Sequence, residues 1–231
     1  MPILYFMEIN NEVAELCGVI LGDGHLHNTE NRITITGSIE DLDYYQNHII
    51  PLFEKYFNII PKLIKDKNKN SYRLVLQNKR VFNFFINEVG LIRGRKISIY
   101  IPRLIFEDIT LLKPFIKGLF DTDGSLKFSK QKKEINYYPR IRFSLYRTPL
   151  SLELSYVFQK LDFNFGFCVD KRNGVLCYDI SGSKNLDKWM NVVGSSNNVH
   201  ITKYLIWKKF GYVPPKISLD QRQKLLKKKI L

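Results

Sequence analysis

A chain of 231 residues is long enough for one large domain, or for two of about 100 to 130 residues that each bury a core. Its 45% hydrophobic content, with 16 Phe and 13 Tyr, excludes a disordered chain. No stretch approaches the ~20 apolar residues of a membrane span, and a formal charge of +14 exceeds what solubility requires and points to a polyanion partner.

The opening MPILYFMEIN has neither the basic start nor the long apolar core of a signal peptide. An intracellular protein is expected, in the cytoplasm or nucleoid of a prokaryote or in an organelle matrix. A helix-like apolar run then leads into LCGVILGDGHL at 16–26. NRITITGS alternates with the period of a half-buried strand, with Arg32, Thr34 and Thr36 on one face and Ile33 and Ile35 on the other. IEDLDYYQNHIIPLFEKYF reads as a helix, PKLIKDKNKNSYRLVLQ as two short strands around a polar turn, and KRVFNFFINEVGL as a closing helix. Residues 91–108, containing GRKISIYIPRL, read as a linker packed on the surface.

The pattern then repeats. IKGLFDTDGSL at 116–126 aligns with the first motif without a gap, pairing Gly18 with Gly118, Asp23 with Asp123, Gly24 with Gly124 and Leu26 with Leu126, each 100 positions apart. PRIRFSLYR puts Arg140, Arg142, Ser144 and Tyr146 on one strand face, and TPLSLELSYVFQKLDF reads as a helix with Pro149 at an early position. FGFCVDKRNGVLCYDIS reads as a hairpin turning at Asn173-Gly174, and SKNLDKWMNVVG as a closing helix. VPPKISLDQRQKLLKKKIL reads as a solvated helix or frayed tail. The expected organisation is a first half at 1–93, a linker at 94–108, a second half at 109–212 and a basic tail at 213–231. Cys17, Cys168 and Cys177 are too few for a disulfide framework or a zinc quartet and read as packing residues.

Gly18 and Gly22 stand at i and i+4, and Gly118 with Thr122 repeats the spacing. Small side chains on one face let helix backbones approach closely, so the two motif helices are expected to form the interface between the halves. Each helix ends at Asp-Gly, with Gly24 and Gly124 suited to the left-handed residue that closes a helix. Asp-Gly is also a strong hairpin signal, and either copy alone reads as a turn. Two copies, with matched small residues before them and matched strands after, read as a site. A carboxylate at the negative end of a helix dipole costs about 0.3–1 kcal/mol, and two facing carboxylates also repel. A divalent cation relieves both. Hard oxygen ligands, the lack of a His or Cys cluster and a phosphate partner point to Mg²⁺, which can activate water and stabilise a leaving oxygen. His25 and His27 have Ser125 and Lys127 as their counterparts, so a loop or phosphate contact is expected of them and not shared metal chemistry.

On these residues the chain resembles the LAGLIDADG homing endonucleases of the single-chain class with two motifs. The first motif matches at Leu16, Gly18, Ile20, Asp23 and Gly24 and departs at Leu21. The second matches at Gly118, Leu119, Asp121, Asp123 and Gly124 and departs at Lys117, which is expected on the far side from the Gly118 face. The resemblance implies an α+β fold of two pseudo-symmetric αββαββα halves, with antiparallel sheets forming a saddle over DNA and the motif helices packed at the interface. It implies a monomeric, site-specific double-strand endonuclease that cuts one phosphodiester per strand across the minor groove and leaves short 3′ overhangs. Asp23 and Asp123, at the eighth motif position, become the catalytic metal ligands, joined by the backbone carbonyls of Gly22 and Thr122, while Asp121 at the sixth is structural. Mn²⁺ should substitute for Mg²⁺, and Ca²⁺ should bind without supporting cleavage. Lys96 and Lys203, at similar places after the last core helix of each half, carry over as the groups that organise water at the scissile phosphates.

The saddle would turn Arg32, Thr34, Thr36, Ser38, Arg73 and Gln77 of the first sheet toward the major groove. From the second it would turn Lys127, Arg140, Arg142, Ser144, Tyr146, Arg147, Lys171 and Arg172 the same way, over a long and largely asymmetric target. Loop lysines such as Lys65, Lys67, Lys130 and Lys171 would meet phosphates. An intron RNA maturase and a non-catalytic DNA-binding regulator are the alternatives on the same fold; two retained acids favour the nuclease. No protein-splicing blocks flank the repeat, so a free-standing or intron-encoded protein is expected over an intein.

Overall fold

In the computed structural model, which describes residues 8–67 and 69–228, α1 (Asn11–Gly22) starts where the Asn10 side chain accepts from Val13 N–H at 3.0 Å. It runs directly into β1 (Gly24–Leu26) and then β2 (Arg32–Ser38). A helical stretch follows, made of a 3₁₀ turn (Ile39–Asp41), α2 (Leu42–Tyr44), a π turn (Tyr45–Ile49) and α3 (Ile50–Phe57). The wide turn falls just ahead of Pro51, whose ring and missing N–H disturb the regular ladder there. The first half is completed by β3 (Lys62–Lys65), β4 (Ser71–Gln77), α4 (Lys79–Asn83) and a second π turn (Phe84–Glu88).

After α5 (Arg103–Glu107) the same order returns: α6 (Ile109–Asp123), β5 (Gly124–Ser129), β6 (Tyr138–Leu145), α7 (Pro149–Lys160), β7 (Gly166–Val169), β8 (Leu176–Ser181) and α8 (Ser183–Val192). Each half holds a four-stranded antiparallel sheet, ordered β1-β2-β4-β3 and β5-β6-β8-β7. Gly24 pairs with Ile35 as Gly124 pairs with Phe143, so the two sheets share their register relative to the motif. The expected fold class and element order are both present. Ile33, Ile35, Leu74 and Leu76 of the first sheet, and Ile141, Phe143, Tyr178 and Ile180 of the second, are buried against the helices.

Between the halves, α1 and α6 lie in backbone contact. A Cβ added at Gly18 would stand 2.0 Å from Phe115 O, and one at Gly118 would stand 2.2 Å from Glu15 O. One expectation fails here. Gly24 and Gly124 do not close their helices in the left-handed conformation, and Gly124 has φ −79° and ψ 164°, which is extended. Their requirement is steric, since a Cβ would stand 2.5 Å from Ile20 O and 2.6 Å from Phe120 O as the chain turns straight from helix to strand. Lys117 also departs from expectation, because its ammonium reaches Glu15 Oε2 on α1 at 2.8 Å. Glu15 is buried and also meets His48 Nε2 at 2.6 Å, so this end of the interface is an ion-paired network.

The segment read as a linker is anchored through alternate residues, with Ile97, Tyr100 and Leu104 left exposed. Ile99, Ile101 and Ile105 are buried, and Ile99 O accepts from Leu150 N–H while Ile101 N–H donates to Glu153, which ties the connection to α7. The hairpin between β7 and β8 closes at the Asp170–Val175 pair, one residue outside Asn173-Gly174 on one side and three on the other. The C-terminal stretch forms a helix, one of its two readings, and that helix is docked through one buried residue. α9 (Asn198–Phe210) packs against α10 (Leu219–Lys227), and Arg222 is only 3% exposed. It donates to Thr202 Oγ1 at 3.0 Å and Ile217 O at 2.6 Å and faces Glu40 of the first half at 3.6 Å. Arg222→Ala would strip Glu40 and Thr202 of a buried partner and is expected to lower stability by about 2–4 kcal/mol in urea unfolding. Met at the same position, which keeps the apolar stem, should lose less.

Candidate active site and nucleic-acid interface

Asp23 follows α1 with its N–H on Val19 O and its carbonyl accepting from Thr36 N–H, both at 3.1 Å. Asp123 is the last residue of α6. The close helix packing carries both to one edge of the interface: a Cβ at Gly22 would stand 2.0 Å from Thr122 Oγ1 and 3.6 Å from the Asp123 carboxyl carbon. Both acids are partly buried. Burial pushes Asp23 up to about 7, the nearby charges of Asp123 and Asp41 add to it, and Lys96 opposes it. Burial likewise raises Asp123, again opposed by Lys96.

Lys96 arrives through a built turn. Gly94, at φ +78°, donates to Leu26 O at 2.7 Å and packs on Asn28, which turns the chain back toward α1. The ammonium donates to Leu21 O at 2.8 Å and to Gly22 O, and so caps α1 beside both carboxylates. Burial holds the Lys96 pKa down, and Asp123 and Asp23 pull it back up. The Gly22 carbonyl, expected among the metal ligands, thus already carries the Lys96 ammonium on one of its lone pairs. The Thr122 hydroxyl donates back to Gly118 O and Leu119 O within its own helix.

Lys203 is not the counterpart of Lys96. It sits on α9 and donates to Leu126 O at 3.2 Å, the carbonyl that matches Leu26 O, which the Gly94 N–H occupies. Burial, with Arg222 and Lys127 nearby, pushes it down to about 8. The group standing where Lys96 stands in the first half is Asn197, which sequence reasoning missed. Asn197 Nδ2 donates to Asp121 O at 3.0 Å and to Asp41 Oδ1 at 2.9 Å, and so joins the two halves beside the paired acids. Asp121 is buried and accepts from Ser195 Oγ and from Ser196 N–H at 2.7 Å. The polar run Ser195-Ser196-Asn197-Asn198 ahead of α9 and the Ser38-x-x-Asp41 cap signal were the available clues.

On the first sheet, Arg32 pairs with Gln77 and Thr36 with Arg73, so the expected residues share one face. His25, expected as a loop or phosphate contact, pairs with Thr34 across β1, and Val75, Lys62 and Ile64, which were not among the expected contacts, lie in the same rows. His27 lies alongside, within hydrogen-bond distance of Thr34 Oγ1 at 3.0 Å and of the Arg32 guanidinium at 3.2 Å. Ser38 is not free to read a ligand, because its hydroxyl donates to Asp41 Oδ2 at 2.8 Å. On the second sheet Arg140, Arg142 and Ser144 share a face with Lys127, Ser125, Asp179 and Cys177. Arg142 is not free either, being gripped by both oxygens of Asp179 at 2.6 and 2.5 Å. Cys168 lies exposed on β7 opposite Cys177, so it is not a packing residue. Tyr146 and Arg147 are exposed just past β6, and Lys171 and Arg172 at the tip of the β7–β8 hairpin, where Arg172 pairs with Asp170 at 2.8 Å.

No protein-family model matches the sequence. Among curated proteins the chain is 28% identical over 212 residues to the Replication factor C small subunit of Methanocaldococcus jannaschii, a match that takes in 86% of this chain and 10% of that protein. It thus spans only a small part of that relative. Among solved structures, the I-DmoI complex with DNA and Mn has a TM-score of 0.57 at 21% identity, covering 81% of this chain and 98% of its own. The I-LtrWI LAGLIDADG homing endonuclease bound to target DNA scores 0.56 at 10% identity, covering 95% and 96%. The chain has the LAGLIDADG fold. The N-terminal LAGLIDADG domain of WhiA scores 0.53 at 17% identity, over 83% of this chain and 85% of that one.

Within that fold, α1 and α6 are the two LAGLIDADG helices, and Asp23 and Asp123 their eighth-position acids. The two ends are dissimilar: a lysine caps α1, and an asparagine bound to Asp41 caps α6. Among the described residues no group of three or more His, Cys, Asp or Glu converges as a cation cage, so any metal held here would rest on the acid pair, with carbonyl and solvent oxygens beside it. That donor set, hard and anionic and set in an edge where its charge is raised in cost, fits Mg²⁺, Mn²⁺ or Ca²⁺.

Proposed function

We propose that the protein is a site-specific, divalent-metal-dependent DNA endonuclease that hydrolyses one phosphodiester in each strand of a long asymmetric duplex. The observation that carries it is the meeting of Asp23 and Asp123, from two copies of one motif, at the open edge of the α1–α6 interface with their ionisation opposed by burial. The I-DmoI structures determined with DNA and Mn or with DNA and Ca support divalent metal use on this fold. A bound cation would lower the pKa of a water and stabilise the departing 3′ oxygen. Asp23 and Asp123 would hold it and orient the water for in-line attack on phosphorus. Lys96, beside both acids, would place its positive charge toward the phosphate. The sheets would set the register, with Arg32, Thr34, Thr36, Arg73 and Gln77 on one side and Lys127, Arg140 and Ser144 on the other. We take it to act as a monomer inside the cell; among the described residues no helix is long and apolar enough to cross a membrane.

The test is selection of cut sequences from a randomised duplex library with Mg²⁺, repeated with Ca²⁺ to separate binding from cutting. Failure to cut any duplex overturns the reading. A second reading has an observation in its favour: the Lys96 ammonium already sits on the Gly22 carbonyl, so it can neutralise the acid pair without metal in a DNA-binding regulator. In that case Mg²⁺ would leave the melting temperature unchanged.

Asp179 tempers the second sheet by neutralising Arg142. Asp179→Asn is expected to tighten binding to random duplex about threefold to tenfold and to steepen the salt dependence by about one counterion. Discrimination for the selected target should fall at the same time, as read by competition binding.

A further inference from the structure

Directly after Thr36, whose N–H holds the Asp23 carbonyl, β2 carries Gly37. A Cβ there would stand 2.3 Å from the Tyr45 hydroxyl oxygen and 2.9 Å from Asp41 Oδ2. The missing side chain is therefore replaced by a phenol reaching across from the π turn. Tyr45 is 1% exposed, and among the described residues its hydroxyl has no hydrogen-bond partner. Asp41 Oδ2, which also faces Gly37, already accepts from the Ser38 N–H and hydroxyl, each at 2.8 Å. Burial, with the charges of Asp23 and Asp41 nearby, raises the phenol further and keeps it a donor. A buried donor left without an acceptor is costly, and such groups are retained where a ligand completes them. In the second half Leu145 stands at the matching register position, so the arrangement is confined to the Asp23 end.

We propose that Tyr45 is a positioning residue of the Asp23 centre: its hydroxyl, admitted by Gly37, donates to the water that Asp23 presents to the scissile phosphate, on one strand only. The proposal rests on the nuclease reading. Its test is Tyr45→Phe, which removes one oxygen and keeps the ring, assayed on a duplex selected with the wild-type protein and labelled differently on each strand. One strand should be cut about tenfold more slowly and the other within about twofold, with binding in Ca²⁺ unchanged. Without metal or DNA, Tyr45→Phe should melt within about 2 °C of wild type or above it, because the hydroxyl makes no bond in the resting fold. Gly37→Ala should melt lower, and the double variant Gly37→Ala/Tyr45→Phe should recover stability but not the wild-type strand ratio. Cutting of each strand by Tyr45→Phe within about twofold of the wild-type rate overturns the role while the nuclease reading stands. A clear fall in its metal-free melting temperature also overturns it, by making the hydroxyl structural. If the wild-type protein cuts no duplex, both readings fall together.

Discussion

Asp23→Asn and Asp123→Asn are each expected to abolish cutting, by about 10³-fold or more, while leaving DNA binding in Ca²⁺ intact. The same substitutions should stabilise the metal-free protein, and the sign follows from linkage. Asp23 is held up at about 7 in the folded state, above its value in the unfolded chain, so between about pH 4 and pH 7 the folded state binds more protons. Metal-free stability is then fully present in acid and is lost as pH rises through 7. With solvent at the open edge the Asp23 contribution is on the order of 1–2 kcal/mol. Asn cannot ionise, so the gap between variant and wild type should be absent near pH 4 and widest at pH 8 in thermal melts. Mg²⁺ should close the gap by stabilising only the wild type. Variants that bind DNA poorly, or that melt lower at pH 8, would show that the acids serve the fold.

The largest stability effect belongs to Gly18. A methyl there would meet Phe115 O at 2.0 Å and Leu119 N at 2.7 Å, both backbone atoms of a helix that can move only as a whole. Gly18→Ala is expected to cost more than about 3 kcal/mol and to prevent folding at 37 °C in some backgrounds, as read by circular dichroism and denaturant midpoint. Gly118→Ala, 2.2 Å from Glu15 O, should behave alike. Gly22→Ala meets the Thr122 side chain and should cost less, with Thr122→Ala recovering part of the loss. A ranking that put Gly22 above Gly18 would mean that the helices are held by their ends and not by backbone contact.

Much of this was legible in the chain because the signals were local and duplicated. Strand alternation set the faces of β2 and β6, and small residues at i and i+4 set the helix interface, since period alone decides which side chains share a surface. What escaped depended on pairing between distant segments. Lys96 and Lys203 look equivalent after their closing helices, yet a glycine turn sends one to the α1 carbonyls while a helix carries the other to Leu126 O. Arg142 reads as a free base contact until β8 brings Asp179 opposite it. Asn197 carries no motif, and its importance comes from two acceptors contributed by different halves. The glycines after the motif acids were placed correctly and explained wrongly, because a crowded helix-to-strand junction and a left-handed cap both call for glycine.

The acids Glu40, Asp41 and Asp43 at the start of the α2 stretch are all received by the C-terminal part of the chain: Glu40 by the Leu219 N–H at 2.7 Å, Asp41 by Asn197 and Asp43 by Asn198. In biosynthetic terms, the surroundings of the first motif are finished only after the second motif has been made. Asp41 has Ser38 as a local partner from the start, but its second oxygen is received only once residue 197 has been made, and Glu40 only at residue 219. A chain cut before α9 keeps both motif acids but lacks the donors from Asn197, Asn198 and Leu219, so the acids of the α2 stretch are fully received only in a chain that reaches α10.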